Sequence, residues 1–357
     1  MEEYLFEDAL TGSTVAFDRG TGDARIEVFG DGAPRECPSL FFPGCSLINY
    51  AMPLVSAVYD TLLDAGSVDG ISLLCCGRIL SFEEGGDALR TSFDERMRLA
   101  LRAAGVRRIV AACPNCVEAL RGLLDEKGLG DEVEVVALPA ELARLGYRVD
   151  RDTAALLVRG DAEAPLVLAA HDSCPDRARG EFADGMRALL PEGLCVEPAH
   201  SRAQSLCCGS LLRAAGKFDA ADKLARRNGE EAGEAGADAL VTACLSCAFQ
   251  LNAAQDVPAV HFLELLYAWR VNWGAAAQWM KIRFLFEETL GAAGPGEGRA
   301  FVALTPEDAE GAEGAEGPTR AERALAEAAD EDALTPEEAG AASAVSLTNE
   351  DVEVLGE

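Results

Sequence analysis

The sequence predicts an α/β protein made of two tandem, duplicated cysteine-rich domains related by a pseudo-two-fold, followed by a disordered acidic tail. Three observations predict it. Ten of the twelve cysteines fall into two sets with matching spacing, each set lies among alternating short apolar runs and helical stretches, and the chain ends in an Ala-, Glu- and Gly-rich segment. We place the boundaries at 1–37 for an N-terminal extension, 38–150 for the first domain, 163–290 for the second domain with C-terminal helices, and 291–357 for the tail.

An internal repeat gives the duplication. The segment Leu74-Cys75-Cys76-Gly77 matches Leu206-Cys207-Cys208-Gly209, and Ala112-Cys113-Pro114-Asn115-Cys116 matches Ala243-Cys244-Leu245-Ser246-Cys247. A single cysteine precedes each pair, Cys45 in the first set and Cys174 in the second. The three landmarks are displaced by 129, 132 and 131 residues. The sets read C-x29-CC-x36-C-x2-C and C-x32-CC-x35-C-x2-C, so each is expected to form one domain.

The elements of each domain follow from apolar runs and helical periodicity. In the first domain we predict strands at Ser39–Phe42, Gly70–Leu74, Arg108–Ala112 and Val133–Leu138, and helices at Pro53–Ala65, Asp87–Ala104 and Val117–Lys127. In the second we predict strands at Leu166–Ala170, Leu194–Glu197, Ala239–Ala243 and Ala259–Phe262, and helices at Phe182–Leu190, Phe218–Ala235 and Ala248–Ala254. A linker near 150–165 joins the domains, the extension is polar and Gly-rich like a hairpin, and 262–290 is predicted as one or two amphipathic helices. Strand–helix alternation favours a largely parallel sheet in each domain.

Composition excludes several classes of function. The formal charge is −30, and residues 291–357 contain 17 acidic and 3 basic residues, so nucleic acid is not expected as a partner. We expect no signal peptide at the acidic start and no membrane span, because charged residues interrupt the most apolar stretch, 262–286. The expected location is the cytoplasm, where thiols stay reduced and bind metal or do redox work. Membrane contact is expected only through a partner.

The cysteines are predicted to converge at one edge of each sheet. Cys45, Cys75, Cys76 and Cys113 each follow an apolar run, and Cys116 enters the next helix. Open α/β sheets bind ligands at the carboxyl ends of their strands, and a helix N-terminus there stabilises a thiolate. Disulfides are disfavoured in a reducing compartment, structural zinc needs only four ligands where each set offers five, and buried structural cysteine does not explain a repeated set. A thiolate-ligated iron–sulfur cluster accounts for the pattern best.

The motif set, Pro-Gly-Cys or its counterpart, then Leu-Cys-Cys-Gly, then Ala-Cys-x-x-Cys, twice, resembles the cysteine-rich CCG domain of the B-type heterodisulfide reductase subunits and their bacterial relatives. The resemblance covers residues 39 to 262. It implies two noncubane [4Fe–4S] clusters, with a substrate disulfide cleaved between them. The implied ligands of the first cluster are Cys45, Cys75, Cys76, Cys113 and Cys116. Those of the second cluster are Cys174, Cys207, Cys208, Cys244 and Cys247. Within these sets we place the catalytic role on Cys76 and Cys208.

The remaining candidates are expected to have ordinary roles. Cys37 and Cys195 are predicted to fill the core or the surface. His171 and His200 are expected to form hydrogen bonds rather than to ligate iron. Arg78 and Arg213 are expected either to offset the cluster charge or hold an anionic substrate, or to form surface ion pairs. The tail repeats Leu-Thr-Pro-Glu at 304 and 334, which indicates nascent helix starts or a docking motif.

Two redox functions follow from the resemblance, with a zinc scaffold as a third hypothesis. The first is the catalytic subunit of an oxidoreductase acting on a small disulfide or thiol substrate, and the alternative is an electron-transfer subunit between a dehydrogenase and a quinone or membrane partner. The chain has neither a C-x2-C-x2-C-x3-C-P run nor a G-x-G-x-x-G site, so electrons are expected from a ferredoxin-like iron–sulfur subunit or a flavoprotein donor.

Overall fold

The computed structural model describes residues 3–19, 24–30, 33–78, 80, 86–273 and 299–302. The chain divides into two compact units. The first contains the described residues up to Leu138 together with 271–273 and 299–302, and the second is Pro139–Arg270. Each unit contains one of the two cysteine sets, as the repeat predicts. The pseudo-two-fold relation between the units stays a prediction.

A parallel sheet forms the centre of the first unit. Its strands are β4 (Ser39–Phe42), β5 (Gly70–Ile71), β6 (Arg108–Ala111) and β7 (Glu134–Ala137). They lie in the order β5-β4-β6-β7, and every neighbouring pair is parallel. All four coincide with predicted strands, although β5 is shorter because Ser72 onwards leaves the ladder.

The N-terminal extension enlarges this sheet. Strands β1 (Glu3–Asp8), β2 (Ser13–Arg19) and β3 (Ala24–Gly30) form an antiparallel meander, and β12 (Arg299–Val302) pairs with β3. Strand β1 joins the parallel part beside β5 through the pairing of Asp8 with Ile71. The buried Asp8 carboxylate accepts hydrogen bonds from Ser72 Oγ at 2.9 Å and Leu73 N at 2.6 Å, and thereby joins the extension to the end of β5. The predicted hairpin is therefore a three-stranded meander within the sheet of the first unit.

The second unit repeats the topology. Its strands are β8 (Leu168–His171), β9 (Cys195–Val196), β10 (Ala239–Thr242) and β11 (Ala259–His261). From the opposite edge their order is β9-β8-β10-β11, which corresponds strand by strand to β5-β4-β6-β7 in the first unit. All three pairings are parallel. The α/β fold with duplicated domains is confirmed.

The helices of both units connect these strands. The first unit has α1 (Cys45–Tyr50), α2 (Met52–Asp64), α3 (Gly86–Ala103) and α4 (Pro114–Glu126). Helix α5 (Leu138–Arg144) crosses the unit boundary, and the second unit has α6 (Arg151–Arg159), α7 (Glu181–Leu189), α8 (Ser210–Ala214), α9 (Phe218–Glu234), α10 (Leu245–Ala254) and α11 (Phe262–Leu266). The six predicted helices are present, with ends displaced by no more than a turn. The short α1, α5 and α8 lack the two turns of apolar periodicity that a sequence prediction needs.

Helix α6 occupies the segment predicted as a linker. Asp150 caps it by accepting a hydrogen bond from Thr153 N at 2.8 Å, and Gly160 ends it in the left-handed conformation at φ 83°. Both signals are ordinary helix boundaries. The helix therefore belongs to the second unit, where Ala154 and Ala155 are buried.

The remaining predictions concern the C-terminal part of the chain. Of the predicted helices at 262–290, α11 is present, and 274–290 lies outside the described residues. Within the predicted tail, strand β12 is described, and 303–357 lies outside the described residues. Among the helices that the structure describes, none is long and apolar enough to cross a membrane.

Candidate metal centres

Most of the repeated cysteines follow closely on the carboxyl ends of the parallel strands, although Cys207 comes eleven residues after the end of β9. In the first unit, β4 ends three residues before Cys45, β5 ends four residues before Cys75, and β6 ends two residues before Cys113. In the second unit, β8 and β10 end at the corresponding distances from Cys174 and Cys244. Because parallel strands end at one edge of a sheet, the topology brings each set to one place.

The thiols of the first unit form a continuous chain of contacts. Cys75 interacts with the thiols of Cys45 and Cys76, and Cys116 interacts with those of Cys76 and Cys113. The order is therefore 45–75–76–116–113. All five predicted thiols of the first set come together in this unit.

The second unit has the same chain of contacts. The Sγ atoms of Cys174 and Cys207 are 3.9 Å apart. Cys208 interacts with the thiols of Cys207 and Cys247, and Cys247 also with that of Cys244. The order 174–207–208–247–244 repeats that of the first unit position by position. Two separately folded segments thus gather five thiols in the same arrangement.

The Cys-Cys-Gly turn directs backbone N–H groups at the sulfurs. In the second unit, Gly209 N lies 3.4 Å from Cys207 Sγ and Ser210 N lies 3.4 Å from Cys208 Sγ. The turn requires glycine, because Gly209 has φ 89° and a Cβ there would lie 2.7 Å from Ala221 O. In the first unit, the Arg78 N–H donates to Cys76 in the same way. Such N–H groups stabilise anionic sulfur.

Helix N-termini hold the C-x-x-C pairs. Cys113 is the N-cap of α4 and Cys116 lies in its first turn, and Cys244 and Cys247 occupy the same positions on α10. The helix dipole favours thiolate at such positions, but hydrogen bonds with neighbouring thiols and burial raise the pKa values of Cys116 and Cys247. Gly44 permits the close approach of α4, because a Cβ on it would lie 2.8 Å from Cys116 Sγ.

This duplicated geometry agrees with the comparison with protein families. The family model of the CCG cysteine-rich domain matches the chain twice, at residues 39–121 and 168–252. The two matched segments are called the CCG domains below. Each match begins at the first parallel strand of its unit and includes all five of the cysteines gathered there.

Other comparisons add little to this family assignment. A search among curated proteins found no match. Among solved structures, the chain is similar to an aspartate racemase homologue from Pyrococcus horikoshii OT3, at 11% identity and a TM-score of 0.26, over 69% of this chain and 100% of that one. A TM-score this low carries no argument about fold or activity.

Each CCG domain holds one thiol with a lowered pKa. In the first domain, hydrogen bonds from the thiols of Cys116 and Cys75 hold the pKa of Cys76 well below its ordinary value. In the second, Cys174 and Cys208 do the same for Cys207. The neighbours that keep their protons have raised pKa values. Each domain therefore stabilises a thiolate, the form that binds metal.

A histidine lies among the thiols of the second CCG domain. A ring nitrogen of His171 and the sulfurs of Cys208 and Cys247 all lie within 4.8 Å of one another. His171 Nδ1 forms a 2.8 Å hydrogen bond with Asn228 Oδ1, as predicted for this histidine. Burial lowers the pKa of His171 and favours the neutral ring.

Asn228 is a site residue that the sequence interpretation missed. It lies on α9 in the same buried stripe as Ala221, Leu224, Ala225 and Ala232. A polar side chain in an apolar helical stripe is the signal that could have found it, because such a group must have a buried hydrogen-bond partner.

An ion pair fixes the loop that carries Cys174. The buried Asp172 carboxylate accepts two hydrogen bonds from the Arg187 guanidinium, at 2.7 and 2.8 Å, and one from Arg202 N at 2.7 Å. Burial opposes ionisation of Asp172, but these donors outweigh it and hold its pKa below the ordinary value. The sequence interpretation also missed this contact, since its members are distant in the chain.

The other candidate residues lie in ordinary surroundings. Cys37 and Cys195 donate to Ser39 O and Val196 O, and burial raises their pKa values to about 12 and about 11. Two of the polar candidates form ion pairs, Arg78 with Glu118 and Arg213 with Asp222. His200 Nδ1 lies 2.6 Å from Glu231 Oε1. Both arginines thus form ion pairs, but Arg78 is buried rather than at the surface, and a role of either towards a cluster or a substrate stays a prediction. His200 forms a hydrogen bond, as predicted.

The donor chemistry fits a soft metal centre. All twelve cysteines, each in the described part of the chain, are free of disulfide bonds. Five thiols per domain exceed the four that structural zinc takes, and thiolate donors with N–H groups directed at them are the surroundings that iron–sulfur clusters require.

Proposed function

We propose that the chain is an iron–sulfur redox subunit of the heterodisulfide reductase type, with a noncubane [4Fe–4S] cluster on the five cysteines of each CCG domain. The observation that carries the proposal is the identical order of thiol contacts in the two domains. Neither a disulfide scaffold nor a four-ligand zinc site calls for five thiols arranged the same way twice. Ten thiolates would be neutralised in part by the cluster iron.

The reaction we propose is reduction of a small disulfide. Two electrons and two protons convert RS–SR′ into RSH and R′SH, and the S–S bond is the bond that breaks. Iron, when bound, supplies a Lewis acid that stabilises the thiolate released from the disulfide. Cys76 and Cys208 are the proposed catalytic cysteines. The buried thiols, the N–H groups and the helix N-termini hold the iron sites in place and favour their anionic ligands.

The electrons come from a partner in this proposal. Because the chain has no ferredoxin-type cysteine run and no dinucleotide-binding glycine motif, a ferredoxin-like subunit or a flavoprotein is the proposed donor. A cytoplasmic location accords with twelve free thiols, and contact with a membrane would be through a partner.

Metal analysis and disulfide turnover test the proposal. Anaerobically purified protein is expected to contain about eight irons and about eight acid-labile sulfides per chain. With an artificial electron donor, the protein should reduce a disulfide, and both Cys76→Ser and Cys208→Ser should lose nearly all of this activity, since groups that act as a unit are not additive. Stoichiometric zinc without labile sulfide would overturn the metal assignment. Reducible clusters without disulfide turnover would indicate the electron-transfer alternative.

A further inference from the structure

The tautomer of His171 is set by its neighbour. Asn228 Nδ2 donates to two backbone carbonyls, Cys207 O at 3.1 Å and Leu224 O at 2.9 Å. The amide is therefore oriented with Oδ1 towards His171, and an amide oxygen only accepts. Nδ1 of His171 must be the donor in the 2.8 Å hydrogen bond. In the neutral ring, the lone pair then resides on Nε2.

The His171 ring is buried and belongs to one group with two sulfurs. His171 is 3% exposed, and among the described residues its Nε2 has no hydrogen-bond partner. The ring and the sulfurs of Cys208 and Cys247 form a group of potential ligands within 4.8 Å. A soft metal bound between them would take the imidazole lone pair and the two sulfurs as ligands. A bound ion is one of the partners that such a buried polar atom can have.

We propose that His171 Nε2 is a metal ligand in the second CCG domain, together with Cys208 and Cys247. The inference rests on the proposed function for the identity of the metal as iron. Asn228 then has the role that a carbonyl oxygen has beside many metal-binding histidines: it accepts the Nδ1 proton and orients the ring. The second domain thus offers a mixed nitrogen–sulfur donor set.

At the equivalent positions, which the structure describes, the first CCG domain has no counterpart to this pair. Phe42 and His171 both end the first parallel strand of their domains, and Phe42 is fully buried without a ligand atom. An offset of 131 residues relates the start of β6 to the start of β10, and the end of α3 to the end of α9. The same offset aligns Asn228 with Met97, which is buried. Ligand and orienting amide are both replaced by apolar side chains. The two metal sites are therefore chemically different.

A neutral imidazole ligand raises the reduction potential of an iron–sulfur centre relative to thiolate alone. We expect the second site to be reduced at higher potential than the first. His171→Phe, which copies the first domain, should lower the ratio of reduced to oxidised second site about 10-fold at a fixed potential, equivalent to about 59 mV for one electron. The signal of the first site should not shift.

Pulsed electron paramagnetic resonance on protein labelled with ¹⁵N-histidine tests the ligand directly. The chain has three histidines, His171, His200 and His261. The parent should show a strong ¹⁵N coupling to the reduced second site, which disappears in His171→Phe and persists in His200→Gln, a matched change at a histidine bonded to Glu231.

The outcomes separate this inference from the proposed function. A cluster signal without strong histidine nitrogen coupling in the parent would overturn the ligand and leave the iron–sulfur assignment intact. This measurement needs no variant to fold. Coupling that survives in His171→Phe would equally overturn it. Absence of any cluster signal and of labile sulfide would instead overturn the proposed function.

Discussion

Phe42 and His171 are the last residues of β4 and β8, and each is paired in register with the last residue of the neighbouring parallel strand, Ala111 and Thr242 respectively. They are topologically equivalent and both buried. One is a hydrocarbon, and the other is an imidazole beside Cys208 and Cys247. The two units therefore share their five thiols but differ in the residue that ends the first parallel strand.

The two metal sites should assemble independently. All five thiols of each site belong to one unit, so Cys76→Ser should lower iron from about eight to about four atoms per chain, and Cys208→Ser should do the same at the other site. Iron and sulfide analysis with electron paramagnetic resonance of each variant measures this. Loss of both signals from a protein with normal circular dichroism would contradict independent sites.

Gly44→Ala should empty the first site selectively. The new Cβ would lie 2.8 Å from Cys116 Sγ at a backbone φ of 76°, so the thiol must move. Gly66→Ala is the matched control, because φ is 62° and nothing lies within 4 Å. Both changes carry about 1–2 kcal/mol of backbone strain, but only Gly44→Ala should lose iron. Equal iron loss in the two variants would show that strain alone is responsible.

Arg187→Ala should destabilise the second unit. It leaves the carboxylate of Asp172, whose side chain is 2% exposed, without its cationic partner, and breaking a buried ion pair costs about 3–5 kcal/mol. The control is Arg179→Ala, whose side chain is 63% exposed and lies 3.9 Å from Glu181, where about 0–1 kcal/mol is expected. Urea unfolding monitored by circular dichroism gives both values. Similar small changes would show that Asp172 is stabilised by other contacts.

The chain beyond residue 302 should be dispensable for metal binding. It contains no cysteine, and ending the chain at Val302 retains the pairing of β12 with β3. Iron content and visible absorption of this truncated protein should equal those of the full chain. If the Leu-Thr-Pro-Glu repeats dock a partner, truncation should weaken capture of a donor subunit without changing iron content. Lower iron content would mean that the removed segment stabilises a metal-binding unit.

The sequence by itself determined the duplication, the order of strands and helices along the chain and the membership of the two thiol sets. The repeated spacing shows which cysteines belong to one set, and the position of cysteines directly after strands places them at the carboxyl-end edge of the sheet. Both signals can be found in the sequence because they are local or periodic. The predicted and observed bounds of the strands agree closely at Ser39–Phe42 and Arg108–Ala111, because these strands are short, continuous apolar runs.

Only the tertiary structure decided the contacts between positions distant in sequence. The joining of β1 to β5 through Asp8, the ion pair of Asp172 with Arg187, and the bond of His171 to Asn228 across 57 residues depend on which side chains the folded chain brings together. No spacing rule encodes them, because each needs one partner in one geometry rather than a repeated pattern. The chemical difference that we propose between the two sites rests on the last of these contacts: a buried amide that accepts one imidazole proton leaves the other nitrogen of the ring without a partner among the described residues.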